Sequence, residues 1–207
     1  MYTPAAFKDD DLARLHGLME HTRLAILVTS DDAGIQASHL PLLLRPEQGA
    51  YGTLYGHLAK ANPQCQALAN GAQVMVIFPG ADAYISPSFY PAKAEHGKVV
   101  PTWNYIAIHA YGVAEVFTDP ARLLEVVSGL TDKHEAGRAS PWAVADAPAD
   151  YIEKMLGAIV GFTLPIERLE GKRKLGQNRS AADVAGVRDG LAASADLKDQ
   201  ELARLMS

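Results

Sequence analysis

The chain has 207 residues, of which 48% are hydrophobic, and carries a formal net charge of −5 at neutral pH. The length suits one large domain or one domain with a short appendage, and the hydrophobic share excludes a disordered chain. The net negative charge excludes a protein that binds nucleic-acid phosphates over its whole surface, so any DNA contact would need a local basic patch.

The first half of the chain is predicted to combine short strands with two helices. Residues 9–22 are predicted to form a helix with an acidic first turn. A short helix is predicted at 58–70, and strands are predicted at 24–30, 35–44, 51–57, 73–78 and 83–86. Pro41 has no N–H to donate, so it is expected at an edge or a bulge of the strand at 35–44.

The second half is predicted to hold the longest strand and a helical tail. Residues 91–98 are polar and contain glycine, which favours a mobile loop. The remaining elements are a strand or strand pair at 99–118, helices at 120–133 and 149–156, a strand at 157–166, and tail helices at 180–193 and 196–206. Asp119, Ser180 and Asp196 are predicted as the N-caps of three of these helices.

Six or seven strands lie too close together for repeated βαβ units. This spacing predicts a mainly β fold with flanking helices, built as a closed or partly open antiparallel barrel. The barrel domain is expected at 1–166. Residues 167–207 are expected to be a basic connector and C-terminal helices that pack on the barrel or on a dimer partner.

The compartment is predicted from cysteine use and from hydropathy. Cys65 is the single cysteine, which excludes an internal disulfide and a cysteine-rich zinc site and indicates a reducing compartment. We interpret Cys65 as a packing residue. The first residues lack the pattern of a signal peptide, and no apolar run approaches the roughly 18 residues that span a bilayer. We therefore expect a cytoplasmic protein that makes no membrane contact.

Common catalytic motifs are missing from the sequence. It contains neither a glycine-rich phosphate loop, nor HExxH, nor a GxSxG nucleophile elbow. His109 and His134 have no ligating residue at a useful spacing, so no metal site is predicted. The sequence gives no support for a hydrolase or a metalloenzyme.

The segment GHLAKANPQ, at 56–64, holds a candidate anion site. Lys60 is expected in the first turn of the helix at 58–70, where helix amides and the ammonium would both favour a phosphate. The alternative is a solvated surface lysine. In the segment ASHLPLLL, at 37–44, backbone groups freed by Pro41 could meet the edge of a heterocycle, or the strand could simply lie at an edge.

The segment PTWNYIAIH, at 101–109, places unusual side chains at the start of a strand. Trp103 and Tyr105 are predicted on one face and Asn104 on the other, because side chains alternate along a strand. The two aromatic rings could stack on a flat ligand or pack in a dimer interface, and the sequence leaves both open.

Six segments occur in an order that resembles one protein family. They are MYTPAAF, HLPLLL, GHLAKANPQ, AYISPSFYP, VPTWNYIAIHAYG and EGKRKLGQNR. Together they resemble the PaiB-like, FMN-binding negative transcriptional regulators, from Met1 to about Leu191. The resemblance implies a split β-barrel of the FMN-binding type, related in fold to pyridoxamine-phosphate oxidases, and a homodimer with flavin sites between subunits.

The resemblance also implies a set of residues around FMN. Lys60 would hold the phosphate with His57 and Asn62 nearby. Residues expected to line the flavin are His39, Leu40, Pro41, Leu42, Trp103, Asn104 and Tyr105. His39 and Tyr105 would be the candidates for proton transfer. Gly176 stands where the family often has serine, so a hydroxyl hydrogen bond is lost there.

Three functions remain open at this point. The first is a flavin-dependent sensor or repressor. No helix-turn-helix with a basic recognition helix is visible, so Lys172, Lys174 and Arg179 are the candidate contacts to DNA phosphates, to a partner or to the phosphate of FMN. The second is an FMN-dependent oxidoreductase that uses NAD(P)H on a small molecule. The third is a barrel that has lost its cofactor.

Overall fold

The computed structural model describes residues 1–32 and 34–206. The strands are β1 (Lys8–Asp9), β2 (Ala25–Asp31), β3 (Gly34–Leu40), β4 (Leu43–Arg45), β5 (Thr53–Ala59), β6 (Gln73–Ile85), β7 (Thr102–Val113), β8 (Glu115–Phe117), β9 (Ile159–Pro165) and β10 (Arg168–Lys174). The α-helices are α1 (Leu12–His21), α2 (Gln64–Ala69), α3 (Ala92–His96), α4 (Pro120–Glu135), α5 (Ala149–Leu156), α6 (Ala181–Ala192) and α7 (Leu197–Leu205). None of the described helices is long and apolar enough to cross a bilayer.

The chain divides into two compact units. One contains residues 12–78 and 109–169, and we call it the central unit. The other contains residues 1–11, 79–108 and the chain from 170 onwards, and we call it the terminal unit. β6 and β7 each contribute one half to each unit.

The central unit contains two groups of antiparallel strands. β2 pairs with β3 on one side and with β6 on the other, and Ile26 lies opposite both His39 and Ile77. The second group has the order β4-β5-β9-β8, with Gly56 opposite Phe162. α4 and α5 cover this second group through a core of Phe117, Leu123, Val126, Leu130 and Leu156.

The terminal unit has the strand order β1-β10-β7-β6. β1 pairs antiparallel with β10, with Lys8 opposite Lys172. α6 packs on the short 3₁₀ helix at Pro87–Phe89, where Gly186 and Gly190 leave room for Phe89. The C-terminal helices therefore belong to the same compact unit as the N-terminal strand.

The mainly β, antiparallel prediction is confirmed, and so are the three N-caps. Asp119, Ser180 and Asp196 each accept a hydrogen bond from a backbone N–H of the helix that follows. The sheets have edge strands, so the barrel is not closed. The predicted strand at 35–44 is interrupted at Pro41 because proline has no N–H for the ladder.

Several predicted segments differ from the structure, and the two strands predicted at 73–78 and 83–86 are one strand, β6. The helix predicted at 58–70 begins only at Gln64, because β5 continues through Ala59 and the residue before Pro63 is disfavoured in a helix. Lys60 therefore lies in the β5–α2 turn and not in a first helical turn. The expected basic connector includes β10, and the expected loop at 91–98 includes α3. Both elements are short and polar, so they carry little hydrophobic periodicity.

Candidate functional site

A hydrogen-bond network joins β3 to the β5–α2 turn in the central unit. The Asn62 side chain donates to Ser38 Oγ at 2.9 Å and accepts from the Gln64 backbone N–H at 2.9 Å. Gln64 is 1% exposed, and its Nε2 donates to Thr29 Oγ1 at 3.0 Å. A buried side-chain amide with several hydrogen-bond partners favours one arrangement of the segments that it joins. The network therefore fixes the ASHLPLLL and GHLAKANPQ segments against one another.

Lys60 lies two residues before Asn62 in this turn. Its backbone N–H donates to the Ala158 carbonyl oxygen at 2.8 Å, which fixes the chain at that point. Its side chain is exposed and forms no salt bridge with a described residue. The ammonium is therefore free to meet an anion from solvent.

The residues around Pro41 divide between the surface and the core. His39 is exposed, whereas Leu40 and Leu42 are 5% and 4% exposed and point into the core. Lys133 Nζ donates to the Leu42 carbonyl oxygen at 3.2 Å, and burial lowers the pKa of this lysine. A ligand at the surface would therefore meet the backbone of Leu40 and Leu42 and not their side chains.

His57 occupies a different environment. It lies on β5 and lines a pocket of about 300 Å³ with Pro41 and with residues of α4. Its Nδ1 is buried and has no hydrogen-bond partner among the described residues. Burial lowers the pKa of the imidazole, so the neutral form is favoured near pH 7. Trp142, which is 46% exposed, stands at the rim of this pocket.

The β7 residues lie in the terminal unit and alternate as predicted. Asn104 is 3% exposed, Tyr105 is half-buried, and Trp103 is 53% exposed. Trp103 forms an edge-to-face pair with Tyr84 of β6, with ring centroids 5.8 Å apart. The exposed pair offers aromatic surface to a ligand or a partner, whereas Asn104 belongs to the core.

The three basic residues also lie in the terminal unit, but they differ in accessibility. Lys172 is 7% exposed, and its Nζ donates to the Tyr2 carbonyl oxygen and lies 4.8 Å from the Tyr105 ring centroid. Lys174 Nζ donates to Thr102 Oγ1 and to the Trp103 carbonyl oxygen. The pKa of Lys174 is lowered by burial and by the positive charges of Lys172 and Arg179, although Tyr105 raises it.

The structure thus places the predicted residues in two groups. The central unit holds His39, Leu40, Pro41, Leu42, His57, Lys60 and Asn62. The terminal unit holds Trp103, Asn104, Tyr105, Lys172, Lys174 and Arg179. Within the first group, the network joins Asn62 to β3, and one pocket joins Pro41 to His57.

Sequence reasoning missed several residues that support these groups. Ser38 and Gln64 lie inside segments that the sequence analysis singled out, but the hydrogen bond between their side chains is visible only in the structure. Lys133 and Trp142 lie more than 90 residues from Pro41 along the chain, and no local pattern connects them to it. Their roles depend on the packing of α4, which only the structure shows.

The family follows from comparison with known sequences. Residues 1–168 match the family described as "Putative FMN-binding domain". The chain belongs to this FMN-binding domain family. The family resemblance read from the motifs is thereby confirmed, and FMN is the cofactor to which the family assignment points.

Relatives match the chain along most of its length. The protease synthase and sporulation protein PAI 2 of Bacillus subtilis is 31% identical over 206 residues, which cover 100% of this chain and 96% of the relative. An uncharacterized protein of Emericella nidulans is 33% identical over 225 residues, which cover 92% of this chain and 90% of the relative.

A solved structure supports the fold. The FAD and heme binding protein from Mycobacterium smegmatis superposes with a TM-score of 0.61 at 22% identity, over 86% of this chain and 78% of that chain. This likeness confirms the predicted mainly β split-barrel fold with flanking helices, and of the closed and partly open alternatives the structure shows the open one.

Proposed function

We propose that this protein binds FMN and acts as a flavin-dependent sensor or repressor of the PaiB type. The observation that carries the proposal is the exposed Lys60, which has no salt-bridge partner among the described residues and lies in a turn held by a hydrogen-bond network within the family's FMN-binding domain. An ammonium without an internal partner is suited to the doubly charged phosphate of a mononucleotide.

The flavin ring would lie near the β3 segment that ends at Pro41. Backbone N–H and C=O groups at the interruption between β3 and β4 are in part freed from ladder pairing, so they suit the planar edge of an isoalloxazine. His39 is exposed in the same segment and could exchange a proton with a bound ring. Chemistry at the flavin would come from the cofactor, and the protein would hold and orient it.

The terminal unit supports a proposal about assembly. Trp103 and Tyr84 are about half exposed, and such aromatic pairs are enriched in interfaces. We include a homodimer in the proposal, with flavin sites between the subunits and with the Trp103 and Tyr105 segment as part of the subunit interface. Residues 1–166 would form the FMN-binding domain, and residues 167–207 would be the appended segment that packs on it or on the dimer partner, in a cytoplasmic protein.

The accessibility of the basic residues favours regulation through a conformational change or a partner protein. Lys172 is buried against aromatic rings, and Lys174 already donates to two oxygen atoms. Of these three residues, Arg179 is half-buried and lies 5.1 Å from the Tyr90 ring centroid, so it and Lys174 would be only partly open to a DNA backbone. DNA contact through this patch would be weak on its own, because affinity grows with the number of phosphates neutralised.

A flavin titration tests the proposal. Purified protein is titrated into FMN, and into riboflavin as the control, while flavin fluorescence is followed. Quenching by FMN at micromolar protein, with at least tenfold weaker binding of riboflavin, is the expected result. No binding of either flavin would overturn the proposal. Steady consumption of NAD(P)H by the FMN-loaded protein would instead favour the oxidoreductase alternative.

A further inference from the structure

A groove between α4 and α5 has the size of a small-molecule site. We call it the α4–α5 groove; its volume is about 650 Å³, and its lining includes Pro120, Leu124, Val144, Ile152 and Leu156. It lies wholly in the central unit, and none of its lining residues is among those expected to hold FMN. Pockets of this size with a mainly apolar lining and a few polar groups are typical of small-molecule sites.

Two α-helices and a short 3₁₀ helix supply the walls of the α4–α5 groove. Leu124 and Ser128 lie one turn apart on α4 and therefore share a helix face. Ile152 and Leu156 lie one turn apart on α5 in the same way. The 3₁₀ helix at Val144–Asp146 lies between α4 and α5 in the chain and contributes to the lining. No aromatic side chain is among the described lining residues, so the walls are aliphatic and suit a flexible alkyl chain.

Two polar side chains that line the groove are accessible to a ligand. Glu153 is exposed, and its carboxylate makes no salt bridge or hydrogen bond with any residue that the structure describes. Ser128 is half-buried, and its hydroxyl makes no hydrogen bond within the described ranges. Because this hydroxyl does not bond back to its own helix, it is open to an outside partner. A molecule in the groove would therefore meet one negative charge and one hydroxyl that need not first break an internal bond.

The segments that form the groove carry mainly negative charge. Residues 119–128 and 144–156 contain five carboxylates and two basic residues. The carboxylates are those of Asp119, Glu125, Asp146, Asp150 and Glu153, and the basic residues are Arg122 and Lys154. Arg122 already pairs with Glu115 at 2.9 Å and lies over the Phe117 ring, and no lysine or arginine is among the described lining residues. A cleft surrounded by one sign of charge attracts ligands of the opposite sign and repels anions.

The walls and the charges together define the ligand class. The aliphatic walls require an apolar body, and the accessible carboxylate requires a positive charge at one end of it. A primary ammonium has three N–H donors, so it can pair with the carboxylate and keep a hydrogen bond to water or to a hydroxyl. We infer that the α4–α5 groove binds a lipophilic primary amine, whose ammonium pairs with Glu153 while its alkyl chain packs on Leu124 and Ile152.

Amine binding in this groove is distinct from the proposed FMN binding. The phosphate of FMN is negatively charged, and the groove presents a carboxylate where that phosphate would need a cation. α4 turns a different face, with Val127 and Leu130, towards the pocket that contains His57. A lipophilic amine should therefore bind the FMN-free and the FMN-loaded protein equally. Failure of FMN binding and failure of amine binding are separate outcomes.

The test uses compounds that share an alkyl chain and differ in charge. The full-length protein at pH 7 is titrated calorimetrically with octylamine, 1-octanol and octanoate. Octylamine is expected to bind with a Kd below about 1 mM, at least threefold more tightly than 1-octanol and at least tenfold more tightly than octanoate. Hexylamine should bind about 4- to 16-fold more weakly than octylamine, because each buried methylene contributes up to about fourfold in affinity.

Two variants separate recognition of the charge from recognition of the chain. Glu153→Gln keeps the size of an exposed side chain but removes its charge, so it should weaken octylamine about three- to fivefold and leave 1-octanol unchanged. Leu124→Ala removes part of the aliphatic wall at a position that is 39% exposed, so folding is preserved and both compounds should bind at least threefold more weakly. Glu47→Gln removes an exposed carboxylate elsewhere in the central unit and should bind octylamine as the wild type does.

Four results would overturn the inference. The first is the absence of saturable octylamine binding with a Kd below about 1 mM. The second is binding of 1-octanol or octanoate as tight as that of octylamine, which would mean that the groove does not select a cation. The third is unchanged octylamine affinity in the folded Glu153→Gln and Leu124→Ala variants. The fourth is displacement of octylamine by saturating FMN, which would assign the groove to the flavin.

Discussion

Asn62 and Ser38 join two segments of the chain that are 24 residues apart, through a 2.9 Å hydrogen bond from the Asn62 amide to the Ser38 hydroxyl. The Asn62 side chain also accepts from the Gln64 backbone N–H, so it shapes the turn that carries Lys60. One side chain thus sets both the local turn and its position against β3.

Asn62→Ala is expected to lower both stability and FMN affinity. Loss of two hydrogen bonds, one of which leaves the half-buried Ser38 hydroxyl with fewer partners, should cost about 1–2 kcal/mol of unfolding free energy. FMN should bind more weakly because the Lys60 turn is no longer held in place. Urea unfolding and flavin titration measure the two effects.

Asn70→Ala is the matched control for this prediction. The Asn70 side chain is exposed at the end of α2, and within the described residues its hydrogen-bond partner is the exposed Gln66 side chain, which donates to it. It should change neither the unfolding free energy by more than about 0.5 kcal/mol nor the FMN affinity. Equal effects of Asn62→Ala and Asn70→Ala would contradict a structural role for the Asn62 network.

Lys60→Ala is expected to weaken FMN binding with little effect on folding. Its side chain is exposed and makes no hydrogen bond or salt bridge with the part of the chain that the structure describes, so its loss should cost little stability. A charge-assisted contact to phosphate contributes roughly 1.5–3 kcal/mol, which corresponds to a loss of affinity of about 10- to 100-fold. Riboflavin, which lacks the phosphate, should bind the variant and the wild type equally.

Lys154→Ala on α5 controls for the removal of one exposed positive charge. It should leave FMN affinity within about twofold of wild type, because exposed charges away from the site are screened by salt. If Lys60→Ala behaves like Lys154→Ala in the titration, the phosphate is bound elsewhere.

Much of this architecture could be predicted from the sequence because its signals are local. The N-caps at Asp119, Ser180 and Asp196 depend on side chains that bond within their own helix, and each is present. The interruption at Pro41 follows from a missing N–H at that residue. Such features need no knowledge of distant contacts.

The secondary-structure predictions were wrong where a segment pairs with residues far away in the sequence. The Lys60 backbone pairs with Ala158, nearly 100 residues away, and this pairing extends β5 and delays α2. Similarly, β10 is stabilised by pairing with β1 at the other end of the chain. Neither pairing leaves a periodic pattern in the short polar segments involved.

In the candidate site, too, local sequence motifs identified some residues, whereas the surroundings of others depend on distant packing. The motif segments located Lys60 and Asn62, whereas the environment of His57 depends on where α4 packs. Trp142 enters the His57 pocket from a region without regular structure, between α4 and α5. Residue type alone gave no reason to separate His57 from Lys60, since both lie within GHLAKANPQ.

Gly112→Ala is expected to destabilise the central unit. A Cβ atom at this β7 position would fall closer to the Pro165 carbonyl oxygen than real Cβ contacts allow, and it would also press on a methyl of Leu164. Backbone atoms cannot rotate away, so the strands must shift at a cost of roughly 1–3 kcal/mol. Urea unfolding of variant and wild type measures the difference.

Gly17→Ala, in the same unit, is expected to raise the stability of the protein. Nothing lies within 4 Å of a Cβ added at Gly17, which is in the middle of α1. Alanine should therefore stabilise the protein by roughly 0.5–1 kcal/mol through its higher helix propensity. A destabilised Gly17→Ala together with a neutral Gly112→Ala would show that these two packing environments are wrongly described.

His57 is expected to make stability fall on acidification. Burial lowers the pKa of this imidazole below its ordinary value of 6.5, so the unfolded chain binds a proton more readily than the folded one. Unfolding free energy should therefore fall as pH is lowered from about 6.5 towards the folded-state pKa, and level off below it. His134 and Glu135 are the other ionisable residues that line the same pocket.

The contribution of His57 is isolated by comparing unfolding free energies of wild type and His57→Phe from pH 7.5 to pH 5. The acid-induced loss should be smaller in His57→Phe, because the variant has no buried imidazole that must take up a proton. His96→Gln removes an exposed histidine and should retain the full wild-type slope. Parallel pH profiles for wild type and His57→Phe would mean that His57 titrates as it does in the unfolded chain, and that its nitrogen reaches solvent.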